Sequence, residues 1–151
     1  MNSTVYRVAE HTSETVNEAI RRETDMRVAA YVSASKRDID RRLKELDSEW
    51  DIERTLETNG STLLLLGLLM GVAVNRKFLI LPALVGGFCL QHAIQGWCPP
   101  IEAFRRMGIR TAREIEEERF ALKALRGDFD DAIEETDSDE KSKAVLAATR
   151  R

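Results

Sequence analysis

Two runs near the middle of the chain decide what it can fold into: Asn59–Val74, NGSTLLLLGLLMGVAV, and Phe78–Cys98, FLILPALVGGFCLQHAIQGWC. As helices they measure about 24 Å and about 31 Å at 1.5 Å per residue. A bilayer's hydrocarbon core is roughly 30 Å thick, so the second run fits a span and the first falls short. Starting the first helix at Leu56 brings it to about 28 Å but draws Glu57 to the interface. Asn75–Lys77 then forms the turn of a tight hairpin. A soluble hairpin buried in a helical bundle explains the short first run equally well. It fails on the second, which is apolar around its whole circumference up to Gln91 rather than striped. The reading is therefore all-α: a membrane-embedded two-helix hairpin over 59–98 (helices 59–74 and 78–98, turn 75–77), flanked by a long N-terminal amphipathic helix and short C-terminal cytoplasmic helices.

The charge distribution agrees. Residues 1–58 hold 10 Lys/Arg and 13 Asp/Glu, residues 99–151 hold 11 and 13, and residues 59–98 hold only Arg76 and Lys77. Each arm is slightly acidic and mixed in sign, which argues against nucleic acid as a partner. Two cysteines are too few for a secreted disulfide scaffold. The opening MNSTVYRVAE lacks the apolar core of a signal peptide, so no cleaved export signal is expected there.

Basic residues near the span ends orient the hairpin. Arg41, Arg42, Lys44 and Arg54 precede it and Arg105, Arg106, Arg110 and Arg113 follow it, against Arg76 and Lys77 in the turn. Both termini are expected to be cytoplasmic. Trp97 suits the headgroup boundary. In lipid, helices are held together by close backbone approach and polar contacts. Gly67-x-x-x-Gly71 offers a small-residue face on the first helix, and Ala83-x-x-x-Gly87 offers one on the second, continued at i+4 to Gln91 and Gln95. Whether this seam closes the hairpin or joins two copies is left open. Pro82 is expected in the first turn of its helix, where its missing N–H costs little.

Leu90–Pro100, LQHAIQGWCPP, ends the second run with polar residues and a thiol. Gln91, His92 and Gln95 read as intramembrane polar groups that hydrogen-bond between helices near the boundary. Gln91, Gln95 and Cys98 share a face, with His92 about 100° round from Gln91. No closed ligand set appears, so neither a metal nor a cofactor is expected. Pro99-Pro100 stops the helix after Cys98. Two readings of that thiol stay open: a reactive interfacial cysteine with Arg105 and Arg106 favouring the thiolate, or a small residue ending a span.

The tetrapeptide Gly96-Trp97-Cys98-Pro99 at the end of a two-helix hairpin resembles the YgaP-like transmembrane domain family over about residues 50–110. The family comprises bacterial inner-membrane domains of unknown function, some fused to a rhodanese. The resemblance implies the hairpin and the motif positions Gly96, Trp97, Cys98 and Pro99. Sulfurtransferase activity is not implied, because the first 58 residues contain no cysteine. Pro100 departs from the family pattern.

Residues 13–57 contain no Gly or Pro and read as helix, striped by Val28, Val32, Ile39, Leu43, Leu46 and Trp50. This 1–58 arm either lies on the bilayer or self-associates as a short coiled coil. Ser35 with Asp38 marks a cap and break within it. In the 99–127 segment, IEAFRRMG places Arg105 and Arg106 at lipid headgroups. Thr111–Glu114, TARE, is a capping box starting a helix that ends at Gly127. The remainder, 128–151, begins with eight acids in the thirteen residues Asp128–Glu140 and reads as solvated tail.

No nucleophile–base pair, phosphate loop or paired-carboxylate site appears. The expected protein is non-enzymatic: a small multi-pass bacterial inner-membrane anchor or adaptor. Its partners are the lipid bilayer, a second copy in a homodimer, or a cytoplasmic or membrane protein. The rival readings are a sulfur-carrier or thiol-redox protein using Cys98, and a soluble helical bundle.

Overall fold

Asp51 starts the first long helix well before the apolar run begins. Its Oδ1 accepts the Arg54 N–H at 2.7 Å, satisfying one of the orphan amides of a helix start. In a computed structural model, which describes residues 6–130, 141–143, 145, 146 and 149, the chain is helical throughout, with no strand among those residues. In order come α1 (Arg7–Glu10), α2 (Glu14–Ala30), α3 (Lys36–Ser48), α4 (Ile52–Ala73), a 3-10 turn (Arg76–Leu79), α5 (Ile80–Gln95), α6 (Pro99–Arg106) and α7 (Ala112–Arg126).

Three boundaries differ from the sequence reading. The first apolar helix begins at Ile52, not Asn59, because Asp51 supplies a cap that composition alone does not weigh. The second ends at Gln95, not Cys98, because Gly96 turns the backbone left-handed at φ 76. The N-terminal arm is three helices rather than one, so its apolar stripe does not run on: Ile39, Leu43 and Leu46 are buried, whereas Val32 and Trp50 are exposed. The acidic run falls, from Asp131 onward, outside the described residues.

Two compact units divide the chain: residues 1–20 with 50–113, and residues 21–49 with 114–151. The first contains the hairpin. Asn75 Oδ1 accepts the Lys77 N–H at 2.9 Å and starts the 3-10 turn that reverses the chain. Pro82 falls in the first turn of α5, as its chemistry requires. The two helices then meet along a line of small residues. A Cβ on Gly60 would lie 3.2 Å from Cys89 Sγ and one on Gly67 2.6 Å from Pro82 Cδ, and one on Gly71 would run into Leu79 Cδ2. On the other side, Leu64 Cδ2 lies 4.0 Å from the Cβ position of Gly86. As numbers rise on α4 they fall on α5, the mark of an antiparallel hairpin. Gly67 and Gly71 thus close the hairpin on itself.

The expected α5 half of that seam is corrected. Ala83 is exposed and Gly87 has nothing within 4 Å of its Cβ position; Leu81, Pro82, Val85 and Cys89 face α4 instead. The outward faces are apolar and bare: Leu65 is 61% exposed, Val72 80% and Ile94 73%. The helical stretches Lys36–Ala73 and Arg76–Gln95, which contain α4 and α5, are long and apolar enough to cross a membrane by length and composition.

In the second unit α3 and α7 lie antiparallel, as the ion pairs Asp40–Arg126 and Asp47–Arg119 require. Ile39, Leu43 and Leu46 pack on Ile115 and Leu122. Glu118 is fully buried beside this core. It accepts Arg42 Nε at 2.8 Å and Nη2 at 3.3 Å in a two-pronged bond, with Arg27 Nη1 at 3.5 Å.

Ser35 caps α3, its Oγ accepting the Asp38 N–H at 3.2 Å and its hydroxyl donating to Asp38 Oδ2 at 2.7 Å. That hydroxyl, with Arg41, holds the Asp38 carboxyl below its ordinary 3.8. The folded form therefore favours the carboxylate: the contribution is complete above the ordinary value and is lost as pH falls through the lowered one. Ser35→Ala should cost about 1 kcal/mol and reduce this acid-side loss to the part that Arg41 sustains, readable as hydrogen exchange in α3 at pH 3 to 5.

Candidate functional site

The polar end of the hairpin is a collar of side chains from four segments of the first unit. Its apolar floor is Val8, Ile52, Cys98 and Ile101, with Leu56, Phe104 and Ile109 packed against it. The start of α4 is pinned there by its Ile52 N–H, which donates to the Arg110 carbonyl at 2.8 Å. This fixes Glu53 in the first turn, facing the last turn of α5.

Glu53 is the centre of the collar. Its Oε2 lies 2.7 Å from His92 Nε2, and its Oε1 accepts Arg7 Nη2 at 3.2 Å. Arg7 Nη1 also donates to the Ala93 carbonyl at 3.0 Å, one of the carbonyls a helix end leaves without an intrahelical partner. The reason Arg7 can reach it is Gly96. The Gly96 N–H closes α5 on the His92 carbonyl at 2.7 Å, and a Cβ there would come within 2.6 Å of Arg7 Cγ. The arginine stem lies where any other residue's side chain would stand. His92 is 9% exposed, and its Nδ1 is buried with no hydrogen-bond partner among the described residues.

A second polar knot lies at α6. Pro99 and Pro100 occupy its first turn, where their missing N–H groups cost nothing, so they start a helix rather than stop one. Arg105 is 1% exposed; it donates to the Ile109 carbonyl at 3.1 Å and to Asn17 Oδ1 at 3.0 Å. Asn17 Nδ2 donates in turn to the carbonyls of Ala9 at 2.9 Å and Thr12 at 3.3 Å. The expectation of Arg105 at lipid headgroups is thus overturned: its guanidinium is used inside the protein to tie the N-terminal segment to α6. Arg106 is exposed and pairs with Glu102 at 3.0 Å.

Of Gln91, His92 and Gln95, expected as intramembrane polar groups, His92 alone makes a bond between helices among the described residues. Gln95 is exposed, Gln91 half-buried, and neither has a hydrogen bond among the described residues. Of the motif Gly96-Trp97-Cys98-Pro99, the glycine turns the chain, Trp97 stays 36% exposed, and Cys98 is 4% exposed at the start of α6. Burial pushes the Cys98 thiol up from its ordinary range. Arg105, expected to favour a thiolate, donates to the Ile109 carbonyl and to Asn17. Cys89 and Cys98 are both free thiols. Among the described residues no three His, Cys, Asp or Glu side chains converge as metal ligands would.

Sequence reasoning missed Arg7, Glu53 and Asn17. Each is an ordinary polar residue in a charged arm, and no periodicity separates it from its neighbours. The one usable signal was Asp51 as a cap, which places Glu53 in a first turn.

The buried thiol has a direct test. In Cys89→Ser, where Cys98 is the remaining cysteine, labelling by an aqueous maleimide at neutral pH should run roughly tenfold or more slower folded than unfolded. Equal rates would restore a reactive Cys98.

The chain matches no protein-family model, no curated protein and no solved structure.

Proposed function

We propose that this protein is a small non-enzymatic anchor or adaptor of the bacterial inner membrane. Its hairpin crosses the bilayer twice, and its flanking helices work on the cytoplasmic side. One observation carries the reading. Two helices seal against each other through glycines and leave Leu63, Leu65, Leu69, Val72, Ile80, Leu90 and Ile94 bare on their outer faces. Contiguous apolar surface of that kind is rare on soluble monomers and is what lipid covers. α4 reaches about 33 Å, of which the apolar part from Asn59 to Ala73 covers about 22 Å of a core of roughly 30 Å, with Glu53, Arg54 and Glu57 towards its boundary.

The polar collar supports the same reading, because it lies at one end of both helices, where a hairpin would leave the hydrocarbon. The excess of arginines beside that end over Arg76 and Lys77 at the turn favours cytoplasmic termini. The resemblance of Gly96-Trp97-Cys98-Pro99 to YgaP-like domains belongs to this proposal. A thiol-carrier role for Cys98 is the rival, and the burial and raised pKa of that thiol weigh against it.

The protein should stay in the membrane pellet after an alkaline carbonate wash. An Asn75→Cys variant should react with a membrane-impermeant maleimide from the outside of intact spheroplasts. Release into the wash would sink the membrane reading, and labelling only after lysis would invert the orientation. Retained cellular function in Cys98→Ser favours the adaptor; its loss favours the carrier.

A further inference from the structure

We infer that Arg54, stacked on Trp50 at the polar end of the hairpin, binds the phosphate of an anionic phospholipid. The inference rests on the reading of the hairpin as a membrane span and names the headgroup that its polar end selects.

Depth favours a lipid phosphate. Arg54 precedes Asn59, where the apolar run begins, by about 7.5 Å along the helix axis. A bilayer's headgroup layers add roughly 5–7 Å on each side of the hydrocarbon, so Arg54 falls among them. Side chains on a helix also lean towards its N-terminus, which at this end of α4 means away from the hydrocarbon.

The aromatic residues mark the same level. Trp50 is 45% exposed, and Tyr6 is exposed beneath Arg113, whose guanidinium carbon lies 4.7 Å from the ring centre. Trp97, exposed as well, follows directly on Gly96. All three flank the end of the hairpin that carries the collar: Tyr6 precedes Arg7, and Trp50 precedes the cap of α4. The turn at Asn75–Leu79 has neither Trp nor Tyr. Such rings, apolar in body and polar at the edge, gather at headgroup depth.

Charge singles out Arg54 among the arginines there. Arg7 pairs with Glu53 and Arg106 with Glu102. Arg54 is exposed and makes no ion pair among the described residues, although three acids are near it in sequence. Asp51 caps the helix, Glu53 holds Arg7 and His92, and Glu57 is exposed and likewise without an ion pair. The Arg54 guanidinium carbon lies instead 4.4 Å from the Trp50 ring centre. Stacking covers one face of the planar group and leaves its N–H edge for two oxygens, the two-pronged geometry that a phosphate accepts. It also holds the side chain in place beforehand, so less freedom is lost on binding.

Trp50 and Trp97 are the chain's two tryptophans, so in Trp97→Phe the fluorescence reports on Trp50. The full chain is placed in vesicles of equal phosphatidylglycerol and phosphatidylcholine. A nitroxide high on the acyl chain is carried by the first lipid in one sample and by the second in the other. Quenching should show an excess of phosphatidylglycerol around Trp50 on the order of fivefold at low salt, the bias that one cation at a headgroup gives. The excess should shrink as salt rises. Arg54→Gln should remove most of it, and Arg106→Gln should leave it. The salt response needs no charge variant, so it stands even where Arg54→Gln fails to fold. Equal quenching by the two lipids would overturn the site while leaving the hairpin in the bilayer. So would an excess that ignores salt, survives Arg54→Gln or vanishes in Arg106→Gln. Absence of quenching by either lipid would overturn the membrane reading and the site together.

Discussion

Alanine at Gly67 should weaken the hairpin by about 1–3 kcal/mol, the usual cost of forcing extra atoms into a well-packed contact. Its Cβ would lie 2.6 Å from Pro82 Cδ and 3.3 Å from Leu81 Cβ. A proline ring cannot rotate away, so the relief available is separation of α4 from α5. The same change at Gly87 is the matched control. Nothing lies within 4 Å of that position, and glycine in a helix interior is about 1 kcal/mol worse than alanine, so Gly87→Ala should be neutral or mildly stabilising. Gly71→Ala should fall between the two, because its nearest atoms belong to the flexible end of Leu79. Helicity followed through denaturing-detergent titration of the micelle-bound chain checks all three. A neutral Gly67→Ala beside a damaging Gly87→Ala would put the seam on the opposite face.

Glu118→Ala should be the most damaging single change in the second unit, on the order of 3 kcal/mol, as expected when one partner of a buried pair is removed. The carboxylate is fully buried and takes both prongs of Arg42 as well as Arg27. Arg42 cannot escape by losing its proton, since a guanidinium stays protonated in proteins even without its partner. It does keep Glu45 at 2.9 Å, which places the cost at the lower end of the range for buried pairs. Replacing both members at once, Arg42→Met with Glu118→Leu, should recover most of the loss, because two apolar side chains leave no stranded charge. Hydrogen exchange over α3 and α7 reads the effect, and exchange in α4 and α5 serves as internal reference. Equal costs for the single and double variants would mean that the ion pair itself, not the stranded arginine, holds the two helices.

Much of the fold was legible, and the legible parts share a cause. Uniform apolarity over 59–74 and 78–98, the GxxxG of Gly67 and Gly71, the cap at Ser35 and the stop at Gly127 are local signals. Each is decided within a turn or two of helix, where the chain's own neighbours supply the physics. The errors lie elsewhere. Ala83 and Gly87 have the right spacing for a seam but the wrong azimuth, which depends on how the Arg76–Leu79 turn rotates α5 against α4. Arg105 has the composition of a headgroup contact, yet Asn17, 88 positions away, claims it.

By itself the sequence determined that this chain is helical, that two of its helices are apolar enough for a membrane, and where some helices start or stop, as at Ser35 and Gly127. Such properties follow from hydrophobic pattern and capping, which act over a few residues. Only the tertiary structure decided which glycines meet the opposite helix, that Cys98 is sealed away, and that Arg7 and His92 share the Glu53 carboxylate. These depend on where separate segments arrive in space. A single half-buried charge finds its partner through the packing of whole helices, and no period in the sequence records that encounter.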